Sequence, residues 1–384
     1  MNALVKMLKP VKRTVDRVFH ILCRLVFSFD KRAPSDTILL VRTDGIGDLI
    51  YWGGYLKTIR ERYRGWRLVL CAEVQSATLA STWETIDDVV PFRRMACRRN
   101  YFYRLRILRR VRSLSPKTSL YLSFHRENIG DELTLLSGAG ETIAFSGNDE
   151  CIHPSMRIRN NREYSRILQV GDHLPEREKY AALMEAIGAT TSAGSPDTER
   201  TDLMFRILQS IPADVARGVK SQRTVVLGPG GSGPIRRWPA AKFTKLADLI
   251  AGELNVAIVL VGDRSEERLL RQIAAAMHKK AELCFDRSIV EVASMIRSAV
   301  AFAGNESALL HLAASLGTPA VGILGGGHFR RYFPYGSVHI VNHRLDCYDC
   351  NWQCTFPQPY CITDITVDDV MNGVRNVLSH STSP

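Results

Sequence analysis

The sequence predicts an α/β protein with two Rossmann-like domains, each built on a doubly wound parallel sheet. Short apolar runs typical of strands alternate with segments typical of helices along most of the 384 residues. The alternation is interrupted between Ala189 and Thr201, where the chain is small and polar, as in a linker. We therefore expect a leader at 1–34, one domain at 35–195, a second at 196–384, and a cleft between the two domains.

The predicted strands and helices follow one another in a regular order. The strands of the first half are Thr37–Val41, Arg67–Cys71, Ser119–Phe124 and Thr142–Phe145, with helices near Leu49–Tyr63 and Tyr101–Val111. Those of the second half are Thr224–Gly228, Val256–Val261, Ala299–Ala303 and Ala320–Leu324, with helices near Ala240–Leu254, Glu266–Met277, Val290–Ser298, Ser307–Leu316 and Val367–Leu378. Polar clusters follow several strands, and the carboxyl ends of parallel strands are where such folds bind ligands.

Composition and charge indicate a folded protein with a basic surface. Apolar residues make up 45% of the chain, enough for two cores, and no disordered or collagen-like composition is present. The chain has 51 Lys and Arg against 39 Asp and Glu, a net charge of +12. Residues 1–32 contain eight basic and two acidic residues, so half of the excess charge lies in the leader.

The leader combines this charge with a helical apolar pattern. Its apolar residues recur mostly three or four positions apart: Leu4, Met7, Leu8, Val11, Val15, Val18, Phe19, Leu22, Leu25 and Val26. Charges interrupt the pattern too often for a membrane span, and no cleavage site follows a clean apolar core, which disfavours a transmembrane helix and a signal peptide. Two interpretations remain open: a helix on an anionic cytoplasmic membrane surface, or a helix packed on the protein itself.

A second basic run extends from Arg93 to Lys117 and contains no acidic residue. Aromatic and aliphatic residues interleave with its arginines, among them Arg98 and Arg99. Charge alone would permit nucleic acid, but no nucleic-acid-binding motif accompanies the run, so we expect no nucleic acid. An anionic lipid or an anionic acceptor is favoured, and a solvated helix face is the alternative.

The most informative segment is Gly304–Ala314, which lies between two predicted strands. A short helix begins within it, so that Glu306 and Ser307 lie at a helix N-terminus, where free backbone N–H groups attract anions. A carboxylate beside a phosphate site would repel phosphate alone, but it can bind hydroxyl groups. The segment therefore predicts a ligand in which a sugar is attached to a phosphate.

Asp48 follows the first predicted strand in the sequence Thr43-Asp44-Gly45-Ile46-Gly47-Asp48. The two glycines allow a tight turn into the following helix, which places Asp48 at the beginning of that helix. One interpretation is an N-cap residue, a common position for Asp. The other is a general base that removes a proton from an acceptor hydroxyl, since a helix N-terminus holds a carboxylate ionised.

A glycine-rich loop follows the strand Thr224–Gly228. Gly228, Gly230 and Gly233 have the spacing of a dinucleotide fingerprint, but Pro234 and Pro239 postpone the helix that such a fingerprint requires. The loop is better explained as a phosphate cradle, with Ser232 and either Arg236 or Arg237 as donors. A surface turn with solvated arginines is the alternative.

Together these segments resemble glycosyltransferase family 9, the bacterial lipopolysaccharide heptosyltransferases. The likeness runs in order from about residue 36 to 374 and is carried by Ile38–Arg42, Gly45–Asp48, Gly228–Gly230, Arg236–Pro239, Val259–Asp263 and Gly304–His311. It implies the B-type glycosyltransferase fold, an N-terminal domain that binds the acceptor and a C-terminal domain that binds ADP-heptose. Transfer to a cell-envelope glycan or other anionic acceptor would invert the anomeric centre, with no cofactor required. The basic leader, together with the absence of any sign of secretion, leads us to expect a cytoplasmic protein, peripheral on the cytoplasmic face of the inner membrane.

The resemblance assigns roles to individual residues. The catalytic aspartate falls on Asp48, the phosphate-contacting hydroxyl on Ser232, and the basic residue of the Lys/Arg-x-Trp-Pro element on Arg236. The Asp-Ser/Thr-Gly-x-x-His motif, which holds the sugar hydroxyls and the diphosphate, falls on Glu306, Ser307, Ala308 and His311. Here Glu replaces Asp, which extends the carboxylate by one methylene group. Ala replaces Gly, and its methyl group closes part of the space in which the backbone approaches the ligand. A nearby turn, Gly325–His328, is expected to compensate by placing the backbone of Gly326 against the donor; flexible loop glycines are the alternative.

Two further groups complete the predicted sites. His125 and Arg126 follow the strand Ser119–Phe124 and are expected to contact the acceptor or donor, with a structural role as the alternative. Cys347, Cys350, Cys354 and Cys361 lie within fifteen residues, a spacing that can enclose structural zinc or iron. Free thiols and a disulfide remain open, although nothing indicates secretion. Members of the family often have a similar cysteine-rich loop.

The sequence thus predicts an inverting glycosyltransferase that uses a nucleoside diphosphate sugar. Asp48 would act as the base, Ser232, Arg236 and the helix N-terminus at Ser307 would stabilise the departing diphosphate, and Glu306 would orient the sugar. Two alternatives belong to other classes: an NAD(P)-dependent oxidoreductase, and a non-catalytic, membrane-associated protein that binds nucleotide sugars.

Overall fold

The computed structural model describes residues 2–30, 32–189, 223–328, 331–333 and 338–380. These residues form two parallel sheets of six strands each, flanked by helices, so the predicted fold class is confirmed. Most of the predicted linker and the predicted boundary at 195/196 lie outside the described residues. The described residues divide into two compact units, one drawn from 1–45, 58–174 and 181–190, the other from 46–57, 175–180 and 191–384.

The sheet of the first unit has the order β3-β2-β1-β4-β5-β6. Its strands are β1 (Ser35–Val41), β2 (Arg67–Glu73), β3 (Asp88–Phe92), β4 (Pro116–Tyr121), β5 (Glu141–Phe145) and β6 (Arg166–Leu168). The four strands predicted from the sequence form its centre, while β3 and β6 were missed. Both lie at edges, where a Pro such as Pro91 is tolerated and where a strand can be as short as three residues.

The helices in the first part of the chain are α1 (Asn2–Ser28), α2 (Ile46–Gly53), α3 (Leu56–Arg62), α4 (Val74–Ala80), α5 (Arg94–Arg99), α6 (Tyr101–Ser113), α7 (Asn128–Leu135), α8 (Pro154–Asn161) and α9 (Glu176–Ala186). The single helix predicted near Leu49–Tyr63 is divided into α2 and α3. The division falls at Gly53 and Gly54, because glycine favours the unfolded backbone over helix.

Helix α1 packs with one face against the first unit. Cys23 and Phe27 lie in its hydrophobic core. The Arg104 guanidinium of α6 donates to Asp16 of α1 at 2.7 Å and to Glu132 of α7 at 2.6 Å. The predicted leader helix is therefore present, and the interpretation that it packs on the protein holds for this face. Among the described helices, none has a stretch long and apolar enough to cross a membrane.

The sheet of the second unit has the order β12-β11-β10-β7-β8-β9. Its strands are β7 (Thr224–Gly228), β8 (Ala257–Val261), β9 (Ala281–Cys284), β10 (Ala301–Asn305), β11 (Ala320–Leu324) and β12 (Val338–Asn342). Counted within each unit, both sheets have the doubly wound order 3-2-1-4-5-6. In the second unit this order makes β7 and β10 neighbours at the point where the winding reverses, which is where such folds bind ligands.

The helices of the second unit cover its sheet. They are α10 (Ala240–Glu253), α11 (Glu267–Ala276), α12 (Ile289–Ser298), α13 (Ala308–Ser315), α14 (Tyr360–Thr363) and α15 (Val367–His380). The buried face of α15, with Val370, Met371 and Val374, packs into the same core as β7 and β8. The predicted helices of this unit agree with these bounds to within about two residues.

Candidate functional site

The site begins where β7 and β10 end side by side. Gly228 pairs with Gly304 in the parallel register, so the glycine-rich loop after β7 and the segment Asn305–Ser307 after β10 leave the sheet together. Asn305, which the sequence analysis did not single out, joins them. Its Nδ2 donates to the carbonyls of Pro229 and Gly230 at 2.8 and 3.0 Å, and its Oδ1 accepts from the Trp238 N–H at 3.0 Å.

Glu266 fixes the other side of the glycine-rich loop. Its Oε1 accepts from the Gly231 N–H at 2.8 Å and lies 3.5 Å from the Arg237 guanidinium. Arg237 also donates to the Gly231 carbonyl at 2.8 Å. The Arg237 guanidinium therefore braces the loop, with Glu266 as its ionic partner, and donor binding by Arg237 stays a prediction.

Arg236 lies next to Arg237 but has different surroundings. Its guanidinium lies over the Trp352 ring, 5.1 Å from the centroid. Burial lowers the pKa of Arg236, and the nearby charge of Glu306 opposes that shift. Ser232 is exposed on the same loop. Of the two adjacent arginines, Arg236 is the one placed beside the carboxylate at the end of β10.

Glu306 and Ser307 present polar atoms that the described residues do not satisfy. Glu306 is only 9% exposed, yet its Oε2 and the Oγ of Ser307 are buried without a hydrogen-bond partner among the described residues. Ser307 immediately precedes α13, but its side chain does not cap that helix. Burial raises the pKa of Glu306 to about 7, although Arg236 and Arg331 lower it. Such a carboxyl is suited to accept or donate a hydrogen bond to a ligand hydroxyl.

The raised pKa of Glu306 predicts a pH-dependent stability. A pKa of about 7 in the folded state, against 4.5 ordinarily, means that ionised Glu306 destabilises the fold by about 3 kcal/mol. Below pH 4.5 the carboxyl group is protonated in the folded and the unfolded protein, and this destabilisation is absent. The free energy of unfolding then falls as the pH rises from 4.5 to about 7. We expect Glu306→Gln to raise the thermal unfolding temperature relative to the wild type by an amount that grows over this range and is constant above it. The exposed Glu282→Gln is the control, and a constant difference for Glu306→Gln would contradict the prediction.

His311 is packed among aromatic rings rather than facing open space. The Phe333 ring stacks on it at 5.1 Å between centroids, and Tyr332 and Tyr51 approach it edge-on at 5.1 and 6.5 Å. Gly47 of α2 lies directly against this imidazole: a Cβ at position 47 would come within 3.0 Å of the ring. The glycine thus lets the beginning of α2 approach the beginning of α13, and it brings Asp48 with it.

Asp48 lies in the first turn of α2, two residues after the helix begins at Ile46, so it is not the N-cap residue. The Tyr332 hydroxyl donates a hydrogen bond to its Oδ1, and the Arg331 guanidinium lies 3.9 Å from the same oxygen. Burial, followed by the charge of Asp48, raises the pKa of Tyr332 well above its ordinary value. The phenol is therefore held in its protonated form and donates to the Asp48 carboxylate.

Arg331 is itself held by a buried ionic group. Its Nε donates to Glu176 Oε1 at 3.2 Å, and its carbonyl accepts from the Glu176 N–H at 3.0 Å. Lys179 donates to the same carboxylate oxygen at 3.2 Å. Sequence reasoning missed Tyr332, Arg331 and Glu176, since no motif marks them and they are far from Asp48 along the chain.

The turn at Gly325–His328 contacts the cysteine-rich segment instead of standing open. The Tyr348 ring lies against the Cα of Gly326, where any Cβ would overlap it. The carbonyls of Gly326 and Gly327 accept from the N–H groups of Asp349 and Asn351 at 2.7 and 3.0 Å. These glycines seat the segment that carries Trp352 beneath Arg236, and the approach of Gly326 to the donor stays a prediction.

The four cysteines do not form the predicted tetrahedral site. Cys361 is buried and Cys347, Cys350 and Cys354 are partly exposed, all as free thiols. Within the part of the chain that the structure describes, no group of three or more His, Cys, Asp or Glu side chains is placed to hold a metal ion. The Gly326 N–H donates to the Cys361 sulfur, so this thiol takes part in seating the loop, and the arrangement does not fit zinc or iron.

The predicted acceptor residues lie in the first unit and differ from one another. Arg126 is fully buried and donates to both oxygens of Asp131 at 2.9 Å and to the Phe145 carbonyl at 2.8 Å; these contacts favour the structural role, and its contact with the acceptor stays a prediction. His125 is partly exposed and lies 3.0 Å from Glu150. Arg98 and Arg99 are exposed at the end of α5, with Arg98 3.1 Å from Glu127. Acceptor contact by these three stays a prediction.

Comparison with known proteins identifies relatives of the chain. The model of glycosyltransferase family 9 (heptosyltransferase) matches residues 173–358. Lipooligosaccharide heptosyltransferase 2 of Campylobacter jejuni is 26% identical over 163 residues, which cover 40% of this chain and 51% of that protein. The chain thus spans about half the length of this relative.

Solved structures confirm the predicted fold. A family 9 glycosyltransferase from Veillonella parvula superimposes with a TM-score of 0.74 at 14% identity, covering 91% of this chain and 99% of that one. The E. coli heptosyltransferase WaaC, solved with ADP-2-deoxy-2-fluoro heptose, has a TM-score of 0.66 at 16% identity, with 90% and 100% covered. Both likenesses concern the fold.

Proposed function

We propose that the chain, of which residues 173–358 match the model of glycosyltransferase family 9, transfers a heptose or a related sugar from an ADP-linked donor to a cell-envelope glycan or other anionic acceptor, with inversion. One observation carries the proposal. The second unit brings together a candidate base, a buried carboxylate with an unsatisfied oxygen, and a cation beside a helix N-terminus: Asp48, Glu306 and Arg236. These are the groups that sugar transfer from a diphosphate requires.

The diphosphate would bind between the glycine-rich loop and α13. Arg236 supplies a fixed positive charge, its ring contact with Trp352 orients the guanidinium, and the N–H groups at the beginning of α13 supply further donors. Ser232 adds a hydroxyl from the exposed side of the loop. These donors stabilise the negative charge that develops on the leaving diphosphate, so the proposed chemistry needs no metal.

Glu306 would bind the donor sugar. Its Oε2, which is buried without a hydrogen-bond partner among the described residues, can accept from a sugar hydroxyl, and the bound hydroxyl would satisfy it. The Oγ of the neighbouring Ser307 is also buried without a hydrogen-bond partner among the described residues. The longer side chain of Glu, compared with the Asp of the family motif, reaches further towards the sugar, which bears on which sugar is accepted.

Asp48 would act as the general base. Its carboxylate removes the proton from the acceptor hydroxyl while the oxygen attacks the anomeric carbon, and the bond from that carbon to the diphosphate oxygen breaks on the opposite face. The electron pair of the broken bond leaves with the diphosphate. Attack from the face opposite the leaving group accounts for the proposed inversion.

Tyr332 is a positioning residue in this scheme. Its hydroxyl donates a hydrogen bond to Oδ1 of Asp48 and so orients the carboxylate that would act as the base. We expect Tyr332→Phe to lower kcat about 10-fold with little change in donor affinity. Because the lost hydrogen bond favoured the ionised carboxylate, the acid limb of the pH profile of kcat/KM should move to higher pH. Tyr360→Phe, in the same unit but on α14, is the control, and an unchanged pH profile for Tyr332→Phe would contradict the role.

Donor binding tests the proposal before the acceptor is known. Calorimetric titration with ADP-heptose, UDP-, GDP- and dTDP-sugars, NAD and NADP should give saturable binding to ADP-heptose at the lowest Kd. Tighter binding of NAD would favour the oxidoreductase, although the loop after β7 enters a 3-10 turn at Pro234–Arg236 and reaches its helix only at Ala240, unlike a dinucleotide fingerprint. No binding of any nucleotide sugar would overturn the proposal.

The non-catalytic alternative has one observation in its favour. Ala308 stands where the family motif has glycine, and a methyl group at this position would close part of the space in which the backbone approaches the ligand. A protein that bound the donor with micromolar affinity but formed no glycosylated product with any anionic acceptor would fit this alternative.

A further inference from the structure

The exposed face of α1 carries an apolar stripe that the fold does not cover. Val11, Val15, Val18, Leu22, Leu25, Val26 and Phe29 are all exposed, and Phe29 is 85% exposed. At 100° per residue these side chains fall within one third of the helix circumference. The opposite face, with Asp16, His20, Cys23 and Phe27, is buried against the first unit. The helix is thus fixed to the protein by one face and presents the other outward.

The attachment of α1 is specific and rests on charged groups. Arg104 bridges Asp16 and Glu132 at hydrogen-bond distance, and Arg24 and His20 lie 2.6 and 3.4 Å from Glu163. A buried ionic cluster of this kind sets the rotation of the helix about its axis, since another rotation would leave buried charges unpaired. The fold therefore holds the apolar stripe on the outside, and the stripe is not exposed because α1 has failed to pack.

Cations surround the stripe. Lys12 and Arg17 of α1 are exposed on either side of it, whereas the exposed Arg24 lies nearer the attached face and pairs with Glu163. Lys12 donates to the Arg98 carbonyl at 2.9 Å, which places the exposed Arg98 and Arg99 near the same end of the helix. Arg109 of α6 lies close enough to Cys23 to oppose the rise of its pKa. The surface thus combines apolar side chains with charges that are mostly of one sign.

We infer that this surface, defined as the outward face of α1 with the cations beside it, binds an anionic lipid membrane with the helix lying in the plane of the interface. An apolar stripe bordered by Lys and Arg is the arrangement that inserts among acyl chains while it pairs with lipid headgroups. The inference does not depend on the proposed catalytic activity.

A second copy of the chain is the competing occupant. Val11, Val15, Val18, Leu22, Leu25 and Phe29 have the alternating spacing of a coiled-coil seam. The positions that flank such a seam, however, are Lys12, Thr14, Phe19, Ile21, Val26 and Ser28, which offer no oppositely charged pairs between two copies. The adjacent cations would also repel those of a second copy, so charge favours the anionic lipid surface.

The test uses the full chain and vesicles without donor or acceptor. Sedimentation should show the wild type bound to vesicles of 70% phosphatidylcholine and 30% phosphatidylglycerol, and bound at least about fivefold less to pure phosphatidylcholine. We expect Leu22→Gln/Leu25→Gln to lower the partition coefficient on anionic vesicles about tenfold or more, and Arg17→Gln to lower it about fivefold. Raising the salt concentration should lower it for the wild type.

The control is Ile158→Gln/Leu249→Gln, which removes two exposed aliphatic side chains elsewhere and should leave vesicle binding unchanged. Equal unfolding temperatures would show that α1 remains packed in the stripe variant. Vesicle binding that is absent in the wild type, or equal in the wild type and the stripe variant, overturns the inference. So does a dimer in light scattering that Leu22→Gln/Leu25→Gln dissociates, because the stripe would then bind a second copy.

Discussion

Asp48→Asn should lower the rate of sugar transfer by about 10²–10⁴-fold while the Kd for the donor changes less than about threefold. The substitution keeps the shape of the side chain and removes its capacity to accept a proton. The hydrogen bond from Tyr332 can persist to the amide oxygen, so the first turn of α2 should keep its structure. Transfer measured under single-turnover conditions, together with calorimetric donor affinity, checks the prediction.

The exposed Asp364 in the same unit supplies the control for Asp48. Asp364→Asn should have wild-type kcat and donor affinity. If Asp48→Asn loses donor affinity as strongly as it loses rate, then Asp48 holds the donor and another group removes the acceptor proton. If it retains full activity, no residue of α2 is the base.

Arg236→Ala should lower kcat/KM for the donor by about 10²–10³-fold, because the positive charge that faces the departing diphosphate is lost. The side chain also leaves the Trp352 ring, so part of the loss should appear as weaker ADP binding. Arg236→Lys keeps the charge but not the planar guanidinium, and we expect it to recover part of the activity. Titration with ADP alone separates binding from chemistry.

The neighbouring residue gives a contrasting expectation. Arg237→Ala should lower the unfolding temperature more than it weakens ADP binding, because Arg237 holds the glycine-rich loop through Gly231 and Glu266. Arg264→Ala, at an exposed position in the same unit, should affect neither. Equal losses of ADP affinity in the Arg236 and Arg237 variants would contradict the division of roles between the two arginines.

The strands that form the centre of each sheet could be predicted because they are apolar runs buried on both faces. The edges could not: β6 has only three residues, and β9 and β12 are partly exposed. The helix after β10 could be predicted because polar residues follow an apolar strand there. The local pattern sufficed where an element is completely buried, because its own residues are then apolar. It failed at the sheet edges, where the elements that pack against a segment determine whether it forms a strand.

The site was predicted only in part, for a related reason. Glu306 and Arg236 follow strands that the strand order brings to one end of the second sheet, Asp48 lies in α2 beside the beginning of α13, and motifs mark all three. Adjacent arginines at 236 and 237 have the same chemistry, and only their partners, Trp352 and Glu266, distinguish them. Tyr332 supports Asp48 through a contact between segments that are far apart in the sequence. A periodic pattern of residues cannot indicate such a contact.

The cysteine-rich segment shows the limits of spacing as evidence. Its four thiols have the spacing of a metal site, yet what the segment contributes is the placement of Trp352 and Tyr348 against the turn at Gly325–His328. Three residues of the segment, Asp349, Asn351 and Trp352, have positive φ angles, so it follows a backbone path that few sequences adopt readily. The spacing shows that the cysteines are close together along the chain, but it does not determine whether their side chains converge on one point.

The most direct test of the central claim is product formation from ADP-heptose. The wild-type protein should add one heptose residue to an anionic cell-envelope glycan, seen by mass spectrometry, and release one ADP for each product formed, while Asp48→Asn binds the donor and forms none. The new glycosidic bond should have the anomeric configuration opposite to that of the donor, seen by nuclear magnetic resonance. Retention of configuration, or equal product from Asp48→Asn, would contradict the account.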